Sequence, residues 1–327
     1  MKKFLSYMFI ALVIPAVLFT GCKDTVEEKP NKYTVLADYL KAQGTSFDLP
    51  AMHATGWAVT AATLNTNIAN YYIIDLRSAA DYGAKRISGA VNSTLENLLT
   101  EAAKVPAGKT IILVCYSGQT AAFAVPALRL SAFPTAVFLK WGMSAWNLAT
   151  DVWTSKIANI GTTPAHANWI PYVETPPSVA TNVTQKIPVI NSDNTLGADI
   201  LKERILAVLK EGPKFVQPSD VLANPGNYFV NNYWTVVNVT TNGGRHIKGA
   251  YRINPMTLAN NEVSFLDPSK IIVNYCWTGQ TSAAVSFYLK VLGYNAQGMQ
   301  WGVNGLANAA LTSNKWPVEN GTFPVVP

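Results

Sequence analysis

Two short cysteine-led stretches hold the residue types with which this chain could do chemistry. The first is Cys115-Tyr116-Ser117-Gly118-Gln119-Thr120-Ala121, which follows the apolar run 110–114 and leads into a helix-like stretch ending near residue 130. A buried strand that delivers a cysteine to the start of a helix places its sulfur where turn amides and a helix N-terminus converge. That setting predicts a thiol pKa drawn from about 8.5 toward neutrality, and hence a nucleophile. The backbone amides of residues 116–121 then form an anion nest around Cys115 Sγ, with Gly118 supplying the conformational freedom such a cradle demands. The Ser117 and Thr120 hydroxyls are expected to add donors. Each well-aimed donor is worth about 2.7–4 kcal/mol in a transition state that gathers negative charge. The arrangement recurs as Cys276-Trp277-Thr278-Gly279-Gln280-Thr281-Ser282 behind the run 270–275, where the same reasoning applies.

Further motifs surround the first loop. Ile73-Ile74-Asp75-Leu76-Arg77 ends a predicted strand, Asp81-Tyr82 and Arg86-Ile87-Ser88-Gly89-Ala90 follow, and Trp141-Gly142-Met143-Ser144-Ala145-Trp146 closes the series. In type, order and spacing these residues resemble the rhodanese (sulfurtransferase) family. The pattern Cys-x-Ser/Thr-Gly-x-Thr-Ala is most similar to its thiosulfate and mercaptopyruvate branch. The resemblance covers roughly residues 57–150 and 218–310. It implies an α/β fold with two tandem rhodanese-like domains, each a central parallel sheet flanked by helices. It also implies that Cys115 and Cys276 are catalytic, carrying sulfane sulfur as a persulfide.

By the same resemblance, Tyr116, Ser117, Gly118, Gln119, Thr120 and Ala121 bind substrate in the first half. Trp277, Thr278, Gly279, Gln280, Thr281 and Ser282 do so in the second, joined by Arg86 and His246. The implied partners are a small sulfur donor, thiosulfate or 3-mercaptopyruvate, and a thiol or cyanide-like acceptor. A non-catalytic rhodanese-like module that binds a partner or carries sulfur is the alternative. The second copy departs from the first: Asn238 and Thr240 are read at the places of Asp75 and Arg77, and His246 at that of Arg86. The Asp75/Arg77 pair is expected to organise the loop, or else to be a surface ion pair of small value.

Several chemistries are excluded. The phosphatase relatives of this family need a longer loop and an arginine after Cys-x5; residues 121 and 282 are alanine and serine, so the bidentate phosphate clamp is missing. Neither loop holds a basic residue, which leaves an anionic donor to neutral groups and the more distant Arg86, Lys140 or Arg245. His53, His166 and His246 are scattered without metal-ligand spacing, and no Cys-x-x-Cys or Gly-x-Ser-x-Gly motif occurs, so no metal and no cofactor are expected. The net charge of +6 on 327 residues includes Lys2 and Lys3 of an expected leader, and no basic run interleaved with aromatics appears. Nucleic acid is therefore not expected as a partner. A Cys115–Cys276 disulfide would have to join the two loops face to face across 161 residues, and is not expected either.

The elements that position these residues follow from punctuation and periodicity. Residues 1–21 read as a lipoprotein signal peptide: Met1-Lys2-Lys3, an apolar run over 4–19, then Leu18-Phe19-Thr20-Gly21-Cys22, which resembles a bacterial lipobox. Cys22 is then the lipid attachment site, and the protein is exported and anchored to a membrane, facing the periplasm or cell surface. Residues 22–50 read as a tether with a short helix expected at 33–42, 51–150 as the first domain, 151–200 as a proline-rich linker, and 201–327 as the second domain. Strands are predicted at 70–76, 110–114, 136–139, 233–239 and 271–275, with helical spacing at 57–64, 95–104, 120–130, 201–210 and 281–292. Trp141, Trp146 and Trp301 are expected in the core, with a pocket wall near the cysteine as the alternative.

Overall fold

The computed structural model describes residues 31–173, 186–317 and 321–327. The expected leader, Cys22 and part of the expected linker lie outside them. The first half runs α1 (Lys32–Ala42), α2 (Leu49–Met52), β1 (Ala58–Val59), α3 (Ala61–Thr66), β2 (Tyr71–Asp75), α4 (Ala79–Ala84), β3 (Val91–Asn92), α5 (Leu98–Ala102), β4 (Thr110–Val114), α6 (Gln119–Arg129), β5 (Val137–Leu139) and α7 (Met143–Trp146). After β6 (Trp169–Pro171) the order returns. The second half contains α8 (Gly197–Glu211), β7 (Phe215–Val216), α9 (Pro218–Ala223), β8 (Tyr228–Asn232), α10 (Val236–Thr241), β9 (Arg245–Ile247), β10 (Ile271–Tyr275), α11 (Gln280–Val291), β11 (Ala296–Met299) and α12 (Asn304–Ala307).

The fold is mixed α/β, with parallel sheets flanked by helices. The sheet orders are β1-β5-β4-β2-β3 and β7-β11-β10-β8, with every neighbour parallel. Each cysteine follows a central strand whose apolar run is buried on both faces, as parallel strands require. In place of a second β3, Asn231 makes a single parallel bridge to Tyr251. The helices α6 and α11 that follow the two loops are buried nearly all round and meet through an edge-to-face contact of Phe123 and Phe287, 5.0 Å between centroids. One core spans both helices and takes in α1 and α8, while a separate core lies on the other face of each sheet. The described residues form one compact unit. Among the described residues no helix is long and apolar enough to cross a membrane.

Three expectations are corrected. The strand read at 233–239 lies earlier, at β8, and Val236–Thr241 is the helix α10. The β-branched run suggested extended backbone, but the Thr235 side chain accepts from the Asn238 amide and caps a helix start. The structural counterparts of Asp75 and Arg77 are therefore Asn232 and Trp234, not Asn238 and Thr240: Asp75 pairs with Val114 just before Cys115, and Asn232 with Tyr275 just before Cys276. Secondly, residues 31–50 of the expected tether are folded, with Leu36, Leu40 and Leu49 fully buried. Asp48 caps α2 and also accepts the amides of Leu258 (2.9 Å) and Ala259 (3.2 Å) from the second half. Thirdly, the helix read at 57–64 begins as strand β1, because Thr60 caps α3 only afterwards.

The segments that follow each half cross to the other. Trp169–Pro171 of β6 pairs antiparallel with β9 of the second half. In return Val326 bridges Arg86, Thr322 bridges Asn147, and the Trp146 indole donates to the Pro324 carbonyl at 2.9 Å. Trp316 and Phe323 are thereby part of the first half's core.

Candidate active site

Cys115 sits at the carboxyl end of β4, and Gly118, in the left-handed region at φ 81°, turns the chain into α6. This brings the Gly118 amide to 3.1 Å and the Ala121 amide to 3.4 Å from Sγ. The thiol is buried, 2% exposed. Burial pushes its pKa up from the ordinary value, and the amides of Ala121, Ser117, Gly118 and Thr120 pull it back only in part. The expected fall toward neutrality is thus reversed: the low-dielectric setting outweighs the cradle while the sulfur is uncharged. The Ser117 and Thr120 hydroxyls do not serve as donors to sulfur. Ser117 Oγ accepts from the Gln119 amide at 3.4 Å, and the Thr120 hydroxyl makes no hydrogen bond among the described residues.

The Trp-Gly motif holds the loop from behind. Trp141 (φ 66°) and Gly142 (φ 65°) are consecutive left-handed residues, and they aim the Met143 and Ser144 amides at the Cys115 and Tyr116 carbonyls, 2.8 and 3.2 Å away. A β-carbon on Gly142 would stand 2.4 Å from the Cys115 carbonyl oxygen, so no other residue fits. Trp301 (φ 63°) and Gly302 (φ 54°) repeat the device, with Val303 and Asn304 donating to Cys276 and Trp277 at 3.0 Å each. Asp75 and Arg77 form a buried fork, Nε to Oδ1 3.0 Å and Nη2 to Oδ2 2.7 Å, rather than a surface pair. The Arg77 guanidinium lies 5.9 Å from the Tyr116 ring centroid, and the Tyr116 hydroxyl bonds Asp81.

Cys276 is built differently. Its sulfur lies 3.7 Å from the Ser282 hydroxyl, and among the described residues no backbone amide donates to it. Asn232 and Trp234 replace the ion pair, the Trp234 and Trp277 rings lie 5.0 Å apart, and the side-chain nitrogens of Asn232, Trp234 and Trp277 are buried with no hydrogen-bond partner among the described residues. Both cysteines are free thiols.

The two loops face each other. The Gln119 side-chain amide donates to the Thr278 carbonyl at 2.9 Å, and that of Gln280 to the Ser117 carbonyl at 3.0 Å, a reciprocal clasp buried from solvent. These two glutamines, expected to line the substrate site, instead bind the opposite loop. Ser117 O also accepts the Trp153 indole at 3.1 Å, and Trp153 packs edge-on against Trp141 and Trp301. The tryptophans after the last strands are therefore core residues. Among the described residues no hydrogen bond joins the side chain of Arg86 or His246 to a cysteine loop: Arg86 lies over the Tyr82 ring and pairs with Val326, while His246 in β9 packs edge-on to Tyr172. Gln119, Gln280 and Trp153 act over 36 to 163 positions of sequence, which no local pattern reveals. Among the described residues no group of histidine, cysteine and carboxylate side chains could hold a metal.

A strand-end cysteine under amides, followed by a buried helix and braced by a Trp-Gly turn, defines a class, and residues 60–149 match the family model described as Rhodanese-like domain. Over 129 residues the chain is 30% identical to a Mycobacterium tuberculosis protein named "Probable adenylyltransferase/sulfurtransferase MoeZ", the match covering 37% of this chain and 33% of that protein. It thus spans about a third of the curated relatives it matches. Among solved structures, a thiosulfate sulfurtransferase from Pseudomonas aeruginosa is 13% identical, with TM-score 0.30, covering 87% of this chain and 48% of that one. A rhodanese-related protein from Thermoplasma volcanium is 24% identical, with TM-score 0.26, covering 27% and 88%.

Proposed function

We propose that this chain is a sulfurtransferase of two tandem rhodanese-like domains, residues 51–150 and 201–327, and that Cys115 carries the transferred sulfur as a persulfide. The observation that carries this reading is the pair of amides, Gly118 and Ala121, directed at Cys115 Sγ at the end of β4. In the step proposed, the Cys115 thiolate attacks the outer sulfur of thiosulfate. A new S–S bond forms, the old one breaks, and sulfite leaves with the bonding pair. The persulfide's outer sulfur bears the negative charge, and the amides of the nest are donors to it. A nucleophilic acceptor such as cyanide then attacks that outer sulfur, leaves as thiocyanate and returns the thiolate. With 3-mercaptopyruvate the leaving group is the pyruvate enolate, which takes up a proton.

Mass spectrometry of the purified protein tests this. One sulfur atom added to the Cys115 peptide by thiosulfate or mercaptopyruvate, and removed by cyanide, is the expected result; an unmodified peptide defeats it. The burial of both thiols favours the second reading, a binding or sulfur-carrier module that does not turn over. In that case sulfur is held without multiple-turnover release. We propose further that the protein is exported and lipid-anchored at Cys22, so that Cys22→Ser releases it from the membrane fraction.

A further inference from the structure

The carbonyl of Ser117 and the amide of Gly118 belong to one peptide group, and that group is engaged on both sides. Its carbonyl accepts the Gln280 side-chain amide at 3.0 Å and the Trp153 indole at 3.1 Å, so both oxygen lone pairs have partners. Its amide donates to Cys115 Sγ at 3.1 Å. A peptide group is conjugated: electron density drawn onto the oxygen comes from the nitrogen, which leaves the N–H a stronger donor. A relay of hydrogen bonds thus begins on a side chain of the second half and ends on the sulfur of the first. Trp153, Gln280, Ser117 and Cys115 are all buried, in a low-dielectric setting where such polarisation is not damped by water.

The second loop has the tie without the relay. The Thr278 carbonyl accepts the Gln119 side chain at 2.9 Å, and among the described residues no indole joins it. The Gly279 amide shares that peptide group, yet among the described residues it makes no hydrogen bond to Cys276 Sγ, whose partner is the Ser282 hydroxyl at 3.7 Å. The doubled donor on the carbonyl and the amide on sulfur occur together, in the first loop.

We propose that Gln280 and Trp153 are positioning residues for Cys115: by donating to the Ser117 carbonyl they fix and polarise the Ser117–Gly118 peptide, and so strengthen the Gly118 amide as a donor to the sulfur. The gain is largest for the thiolate, since a charged acceptor makes the stronger bond. The cysteine of the first half is in this way tuned by a side chain of the second. Burial and the amides of Ala121, Ser117, Gly118 and Thr120 act on the thiol, with no charged side chain among them. The inference rests on Cys115 being the reacting cysteine, but alkylation reads it without any sulfur transfer.

Iodoacetamide alkylation of Cys115 in the full chain, followed across pH by peptide mass spectrometry, tests the relay. Gln280→Met, Gln280→Asn and Trp153→Phe each withdraw one donor. Cooperative polarisation is worth about 10–30% of a bond, so each variant should alkylate about twofold to fivefold more slowly at neutral pH, with its profile moved to higher pH. Gln119→Met breaks the opposite arm of the clasp and should leave the profile in place. Mere loosening of the loop acts with the opposite sign, because water admitted to a buried thiol brings its pKa down toward the ordinary value. A profile that stays in place or moves to lower pH in the three variants overturns the relay, as does an equal upward shift in Gln119→Met. Gln280→Asn, the mildest change, decides the matter where the other two do not fold, as judged by near-ultraviolet circular dichroism. Sulfur loaded on Cys115 from thiosulfate or 3-mercaptopyruvate, with no shift in any variant, overturns the relay and leaves transfer standing. The expected shifts with no sulfur loaded from either donor uphold the relay and refute transfer.

Discussion

At Cys115 two opposing effects act on one sulfur atom. Desolvation raises the thiol's pKa and the nest lowers it, and the balance lies above the ordinary value. Since the thiolate is the reactive form, Cys115 should react more slowly than an unfolded cysteine at neutral pH. Its rate with iodoacetamide should climb about tenfold per pH unit until the raised pKa is reached, later than in a denatured control. Alkylation followed by peptide mass spectrometry from neutral to alkaline pH measures this; a plateau already reached near neutrality would contradict it. What the sequence showed here was the place of the sulfur, because strand, loop glycine and helix are consecutive in the chain. It did not show the sign of the pKa shift, which depends on burial by residues far from 115. The contacts of Arg86 and His246 were not legible for a related reason: their partners, Val326 and Tyr172, are remote in sequence.

Elements whose signals are local were legible, and the cysteine-bearing strands are the clearest case, read at 110–114 and 271–275 and found at Thr110–Val114 and Ile271–Tyr275. The strand β8 was missed because it ends on two buried asparagines, Asn231 and Asn232, and so lacks the unbroken apolar run of a central parallel strand. The loops themselves are over-determined by their glycines. Gly118 has φ 81°, and a β-carbon there would lie 2.6 Å from Gln280 Nε2 and 2.9 Å from the backbone nitrogen of Trp141. Gly89 has a similar φ of 77° but nothing within 4 Å. Gly89→Ala should therefore cost only the left-handed strain of about 1–2 kcal/mol. Gly118→Ala adds a collision with fixed backbone and should cost about 2–4 kcal/mol, with loss of the clasp. Urea denaturation of the two variants compares them, and equal costs would mean that the loop yields more readily than its contacts suggest.

For the molecule as a whole, the recurring order of strand, cysteine loop and helix was legible from the repeated order of motifs, but the exchange of tails was not. The residues that cross, Trp316, Phe323 and Val326, carry no motif and reveal their destination only in three dimensions. Their importance is measurable. Trp316 is fully buried in the first half's core, stacked with Trp153 and tilted against Trp141. Trp316→Ala should cost about 3–5 kcal/mol, as large-to-small aromatic changes in cores do. Hydrogen exchange should rise in β4 and β5, nearly two hundred positions earlier in the chain, at least as much as in β10; protection lost only around residue 316 would refute the exchange as a source of stability. The crossing also bears on the order of events at the ribosome. Chains ordinarily settle domain by domain from the N-terminus as they emerge. Here the first sheet leaves the tunnel long before the segment that finishes its core, so the space beside Trp141 and Trp153 waits, with aromatic surface open to water, until nearly the whole chain has been translated. The half that is made first is thus the half that is completed last.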